Sequence, residues 1–128
     1  MTYLHIKQPS DDEGCGIAVM ARLHQKSYDE MLSIAMENGF CDKKKRVNLA
    51  QMKRFLGYKG LENVSYKRHN GASVPTDCGI FHGRWNNVKT GTRHWIAYHD
   101  GMFFDPLLPQ PVSQLSAQFY VTQIFKHP

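Results

Sequence analysis

The dipeptide Asp100-Gly101 restricts the fold of this chain more than any other local feature. It separates the run His94-Trp95-Ile96-Ala97-Tyr98-His99 from Met102-Phe103-Phe104-Asp105. Asp-Gly between two strand-like runs predicts a two-residue hairpin. In that hairpin His99 pairs with Met102, and Ile96 with Asp105. Side chains two apart on a strand share a face, so His94, Ile96 and Asp105 lie together, with His99 on the other side. Asp105 is then diagonal to His94, within reach of an imidazole nitrogen. Pro106 stops the second strand.

The first half of the chain reads as helices. Cys15 to Leu23 is an apolar run rich in Ala, Met and Leu, which predicts a buried helix despite Gly16. Ser27 and Glu30 form a capping box for a second helix containing Met31, Leu32, Ile34, Ala35 and Met36, with Gly39 placed to end it. A third helix is expected after Asn48, with Leu49, Met52, Phe55 and Leu56 on one face and Gly57 at its end. Tyr3 to Lys7 reads as a short strand or an extended lead-in, and Pro9 to Gly14 as a loop. Further strands are expected at Leu61 to Lys67, Cys78 to His82 and Phe119 to Phe125. His69 to Asp77 and Arg84 to Thr92 read as loops. Helices followed by strands imply an α+β fold rather than alternating βαβ units.

The chain of 128 residues fits one domain, 1–128. No apolar run approaches the roughly 20 residues that span a bilayer, and the N-terminus lacks the apolar stretch of a signal peptide. A cytoplasmic protein is expected, with secretion as an effector without a cleaved signal as the alternative. The three cysteines, Cys15, Cys41 and Cys78, are odd in number and widely spaced, which speaks against a disulfide framework. They also lack the closely spaced pairs of a structural zinc site. No metal and no cofactor are expected, and no phosphate-cradling glycine loop is present. The net charge is +5, and Lys43-Lys44-Lys45-Arg46 is a basic run. It reads as a solvated loop between two helices; nucleic acid binding is the lesser reading.

A thiol nucleophile needs a stabilised thiolate, a base, and donors for the oxyanion. Cys15 is expected at a helix start, where the helix dipole favours the thiolate and the first backbone N–H groups lack intrahelical partners. Gln8 offers a side-chain amide donor. Gly14 and Gly16 leave room for close approach of a substrate. His94 is the expected base, and Asp105 the carboxylate that orients it.

This ordered set resembles the papain-like cysteine peptidases. It comprises Gln8, Cys15-Gly16 before an apolar helix, His94-Trp95 opening a strand, and Asp105-Pro106. It is most similar to the peptidases that process double-glycine leader peptides of bacteriocins. The stretch from His94 to Leu108 also looks like the corresponding hairpin of ubiquitin-directed and ubiquitin-like-directed peptidases. The resemblance implies a helical part carrying Cys15, packed on an antiparallel sheet carrying His94 and Asp105. It also implies hydrolysis of a peptide or isopeptide bond in a protein or peptide substrate, with Gln8 as oxyanion donor. Gly14 stands where the family commonly has Asp, and the Gln8–Cys15 spacing is one residue longer than usual. The same triad serves transglutaminases and deamidases, and a degraded triad would leave a binding module. Asp77-Cys78-Gly79 matches the family's tripeptide around the nucleophile. However, Phe81 to Asn86 is not a helix pattern, and only 15 residues separate Cys78 from His94.

Overall fold

Three helices precede a five-stranded antiparallel sheet in the computed structural model, which describes residues 6–7, 14–60, 65–71, 79–85, 93–116 and 119–126. The α+β expectation holds. Helix α1 (Cys15–His24) is buried continuously from Cys15 to Arg22, and its residues from Ile17 to Ala21 are apolar on every side. It ends where Gln25 turns left-handed at φ 56° and the Lys26 N–H donates to the Ala21 carbonyl at 2.9 Å.

Helix α2 (Tyr28–Asn38) begins with the Ser27–Glu30 capping box and ends at Gly39, φ 70°. Helix α3 (Leu49–Tyr58) has a second box, between Asn48 and Gln51. Gly57 does not end it. The helix runs on to Tyr58, and the left-handed glycine is Gly60, φ 84°. Gly60 supplies the conformation that suits glycine; Gly57 sits in ordinary helix.

The strands are β1 (Ser65–Gly71), β2 (Gly79–Trp85), β3 (Arg93–His99), β4 (Met102–Phe104) and β5 (Phe119–Lys126), ordered β1-β5-β2-β3-β4. The hairpin register is as expected: His99 faces Met102, Tyr98 faces Phe103 and Ala97 faces Phe104. Asp100 and Gly101 take φ of 50° and 84°. Two positive values are what a type I′ turn requires.

Other boundaries moved. Residues 69–71, expected in a loop, belong to β1, and β2 continues through Arg84 and Trp85. Strand β2 is paired on both sides, to β3 and to β5, and that double ladder extends it past its unpromising Gly-Arg. Gly83 is required there. A Cβ at this position would lie 2.2 Å from the Tyr120 carbonyl oxygen, where β5 shifts register against β2. Of the expected N-terminal strand, only Ile6 and Lys7 are described, and they are not in a strand.

Both faces of the sheet are covered. Ile80, Trp95, Ala97, Phe104 and Phe125 pack against the helices. Phe81, Ile96, Tyr98, Phe103, Phe119, Val121 and Ile124 form a second cluster, flanked by Val112 and Leu115. Double burial explains why Trp95 to Tyr98 is an unbroken apolar run rather than an alternating one. Val112 also exchanges two backbone hydrogen bonds with Phe103, covering part of the β4 edge. None of the helices described is long and apolar enough to cross a membrane.

Candidate active site

Cys15 is the first residue of α1, where helix geometry leaves the opening N–H groups without intrahelical acceptors. The first bond of the helix, Ala18 N–H to the Gly14 carbonyl, closes behind it at 2.9 Å. His94 is the second residue of β3 and 3% exposed. Its Nε2 lies 2.6 Å from Asp105 Oδ1, and the Cys15 thiol is near enough to raise the pKa of the ring. With Nε2 engaged by the carboxylate, Nδ1 is the ring nitrogen that remains for sulfur. Oδ1 of Asp105 also accepts from the Leu107 N–H at 3.0 Å, which fixes the carboxylate just past the end of β4.

Burial pushes the His94 imidazolium toward its neutral form. The hydrogen bonds that the ring donates to Asp105 and Cys15, with the Coulombic attraction of both, outweigh it, and the pKa rises to about 9. The edge of the ring meets Phe119 at 5.9 Å between centroids, nearly perpendicular.

The residue after each of these two does the positioning. Gly16 follows Cys15, and Trp95 follows His94. A Cβ on Gly16 would lie 2.7 Å from both Cβ and Cγ2 of Val47 and 3.1 Å from Trp95 Cδ1. The space beside Gly16 is therefore filled by Val47 and Trp95. This corrects the expectation that this glycine makes room for a substrate. Trp95 Nε1 donates to the Val47 carbonyl at 2.9 Å in a buried bond. Helix, loop and strand are thus locked one residue away from the thiol and the imidazole.

Val47 is held in turn by the segment before it. Asp42 accepts from the backbone N–H of Lys44 and Arg46 and from Arg46 Nε, and Lys45 takes φ of 68°. The basic run is therefore a tight turn organised by one aspartate between α2 and α3. At the far end of α1 the Arg22 guanidinium lies 3.8 Å from the centroid of the Phe104 ring.

Beneath Trp95 lies a second buried histidine. The rings of His82 and Trp95 are 4.2 Å apart, and His82 Nδ1 bonds Gln123 Oε1 at 2.9 Å. Burial lowers its pKa to about 4, against the raising effect of Gln123. His82 is thus the neutral histidine and His94 the charged one.

Of the expected site residues, His94 and Asp105 are hydrogen-bonded and the Cys15 thiol acts on the His94 pKa; Gln8 lies outside the described residues, as does the rival Cys78. Cys41 is elsewhere, its thiol 3.7 Å from Met36 Sδ and its pKa raised by burial and by Asp42. Sequence reading missed Val47 and Phe119 because nothing local marks a loop valine or a late strand as neighbours of the site. No group of three or more His, Cys, Asp or Glu among the described residues is placed to hold a metal ion. Neither protein-family models nor curated proteins give a match to this chain.

Proposed function

We propose that the protein is a papain-like cysteine hydrolase that cleaves a peptide or isopeptide bond through Cys15, His94 and Asp105. The observation that carries this reading is the buried 2.6 Å bond between His94 and Asp105, with the Cys15 thiol at the start of α1 acting on the same ring. A thiol on one nitrogen and a carboxylate on the other is the arrangement of a nucleophile, its base and the base's orienter.

The chemistry runs as acyl transfer. In the resting pair His94 already holds the Cys15 proton on Nδ1, and the thiolate sulfur attacks the carbonyl carbon. The carbonyl oxygen becomes an oxyanion, for which the Cys15 N–H at the start of α1 is the nearest main-chain donor. Gln8 would be the second donor by the family resemblance. The C–N bond breaks as His94 returns its proton to the leaving amine, and the acyl group stays on sulfur as a thioester. Water then gives a proton to His94 and attacks the thioester, releasing a carboxylic acid and restoring the resting pair. Asp105 holds the imidazole in the tautomer with hydrogen on Nε2 and stabilises its protonated form. A free thiol suits the reducing cytoplasm.

Incubation with a pool of unmodified peptides, read by mass spectrometry, tests the proposal. The wild type should produce new termini, and Cys15→Ala should produce none. Cleavage that survives Cys15→Ala would overturn it. Ammonia release from glutamine peptides without new termini would move the reading to a deamidase of the same triad.

A further inference from the structure

We infer that Phe119 is a positioning residue: its ring, reaching across Gly83, holds the His94 imidazole in the plane that serves Asp105 through one nitrogen and Cys15 through the other. This rests on the proposed function and adds a part to its machinery.

The need for such a residue comes from histidine itself. The torsion that sets the plane of an imidazole has broad wells, so rotamer preference does not choose that plane. The backbone of β3 aims the His94 side chain and leaves the ring free to turn. The 2.6 Å bond to Asp105 Oδ1 pins Nε2 alone. A ring pivoting about that contact keeps the carboxylate and carries Nδ1 away from the sulfur. A neighbour must stop the pivot.

Strand register supplies the neighbour. In the β2–β3 ladder Gly83 faces His94. Directly opposed residues hold their Cβ atoms about 5 Å apart on one face, so a side chain at position 83 would be the natural contact of the imidazole. Glycine leaves that place open, and β5 fills it. A Cβ on Gly83 would lie 3.0 Å from Phe119 Cζ, so the tip of the Phe119 ring stands where the missing side chain would be. The bulge demands glycine at 83 on its own account, and the ring uses the space that results. The same ring lies 5.9 Å from that of His94 at an interplanar angle of 89°. This is the edge-to-face arrangement that aromatic pairs prefer, and a turn of either ring would lose it. Phe119 itself is fixed. It is 1% exposed and belongs to the buried cluster of Phe81, Ile96 and Val121, and its N–H donates to the Ser116 carbonyl at 3.1 Å. Three strands thus contribute: the ring from β5, the gap from β2 and the imidazole from β3.

The test reads the pH profile of iodoacetamide alkylation at Cys15 in the full-length protein, with Cys41 as internal reference. Below the ordinary thiol pKa of about 8.5, Cys15 depends on His94 to take its proton; at about pH 10 a thiol ionises unaided. In Phe119→Leu the Cys15-to-Cys41 rate ratio should fall about fivefold at about pH 6, the worth of one edge-to-face pair, and return to within about twofold of the wild type at about pH 10. Phe103→Leu is the control. It makes the same truncation in the same cluster, opposite Tyr98 and about 13 Å along β3 from His94, and should leave the ratio unchanged at both pH values. General loosening of the core would move the two variants alike and would not vanish at high pH. Should Phe119→Leu fail to fold, Phe119→Met, with an unbranched apolar side chain, carries the same expectation. If the ratio at about pH 6 stays at the wild-type value, or falls equally at both pH values, the positioning role is wrong and the catalytic reading stands. If wild-type Cys15 reacts no faster than Cys41 at about pH 6, the catalytic reading itself fails and the positioning role falls with it.

Discussion

Replacing Gly16 by alanine sets two magnitudes against each other. Alanine gains up to about 1 kcal/mol over glycine inside a helix. Against this, the added Cβ would lie 2.7 Å from two carbons of Val47. Carbon pairs settle near 3.5–4.0 Å, so one side must retreat by about 1 Å. Val47 is poorly able to do so. It is buried, and its carbonyl holds Trp95 Nε1 at 2.9 Å. Overpacking of this kind costs about 1–3 kcal/mol. Gly16→Ala is therefore expected to destabilise the protein by about 1–2 kcal/mol. Gly57→Ala is the control, because it makes the same change inside α3 with nothing within 4 Å of the new Cβ. It should stabilise by about 0.5–1 kcal/mol. Urea unfolding of the two variants beside the wild type gives both signs. If Gly16→Ala proves as stable as Gly57→Ala, the lock between α1, Val47 and Trp95 does not exist as described.

The two buried histidines make opposite predictions. His94 should remain protonated up to about pH 9 in a 15N chemical-shift titration, and Asp105→Asn should lower that midpoint. Because its folded pKa lies above the ordinary 6.5, the stability it contributes is fully present below about pH 6.5 and lost as the pH rises through about 9. For His82 the folded value of about 4 lies below the ordinary one. Its contribution is present above about pH 6.5 and lost as the pH falls through about 4, amounting to about 3 kcal/mol. Urea unfolding at pH 7 and pH 4.5 should show about 2 kcal/mol of that loss in the wild type and less in His82→Gln. An unchanged loss in the variant would remove His82 from the account.

The relation between His94 and Asp105 could be read in the sequence because a two-residue turn fixes register. Once Asp100 and Gly101 form that turn, the pairing of His99 with Met102 carries the strand faces with it. The Ser27–Glu30 box and Gly39 were legible for the same reason: caps are local chemistry. The placement of β5 between β1 and β2 was not legible, because nothing within Phe119 to Lys126 says which strands will flank it. The extent of β2 was hidden by Gly83-Arg84. Residues that weaken an isolated strand are tolerated once it is paired on both sides. Gly16 was visible as a glycine, but its purpose depends on Val47, which is 31 positions away along the chain.

The pairing of Cys15 with His94 is tested most directly by comparing two thiols in one molecule. Cys15 and Cys41 are 7% and 8% exposed, so access does not separate them. Iodoacetamide labelling at pH 6, quantified peptide by peptide, should modify Cys15 at least about a hundredfold faster than Cys41. The advantage should collapse in His94→Ala. Equal rates in the wild type, or a Cys15 advantage that survives His94→Ala, would contradict the account.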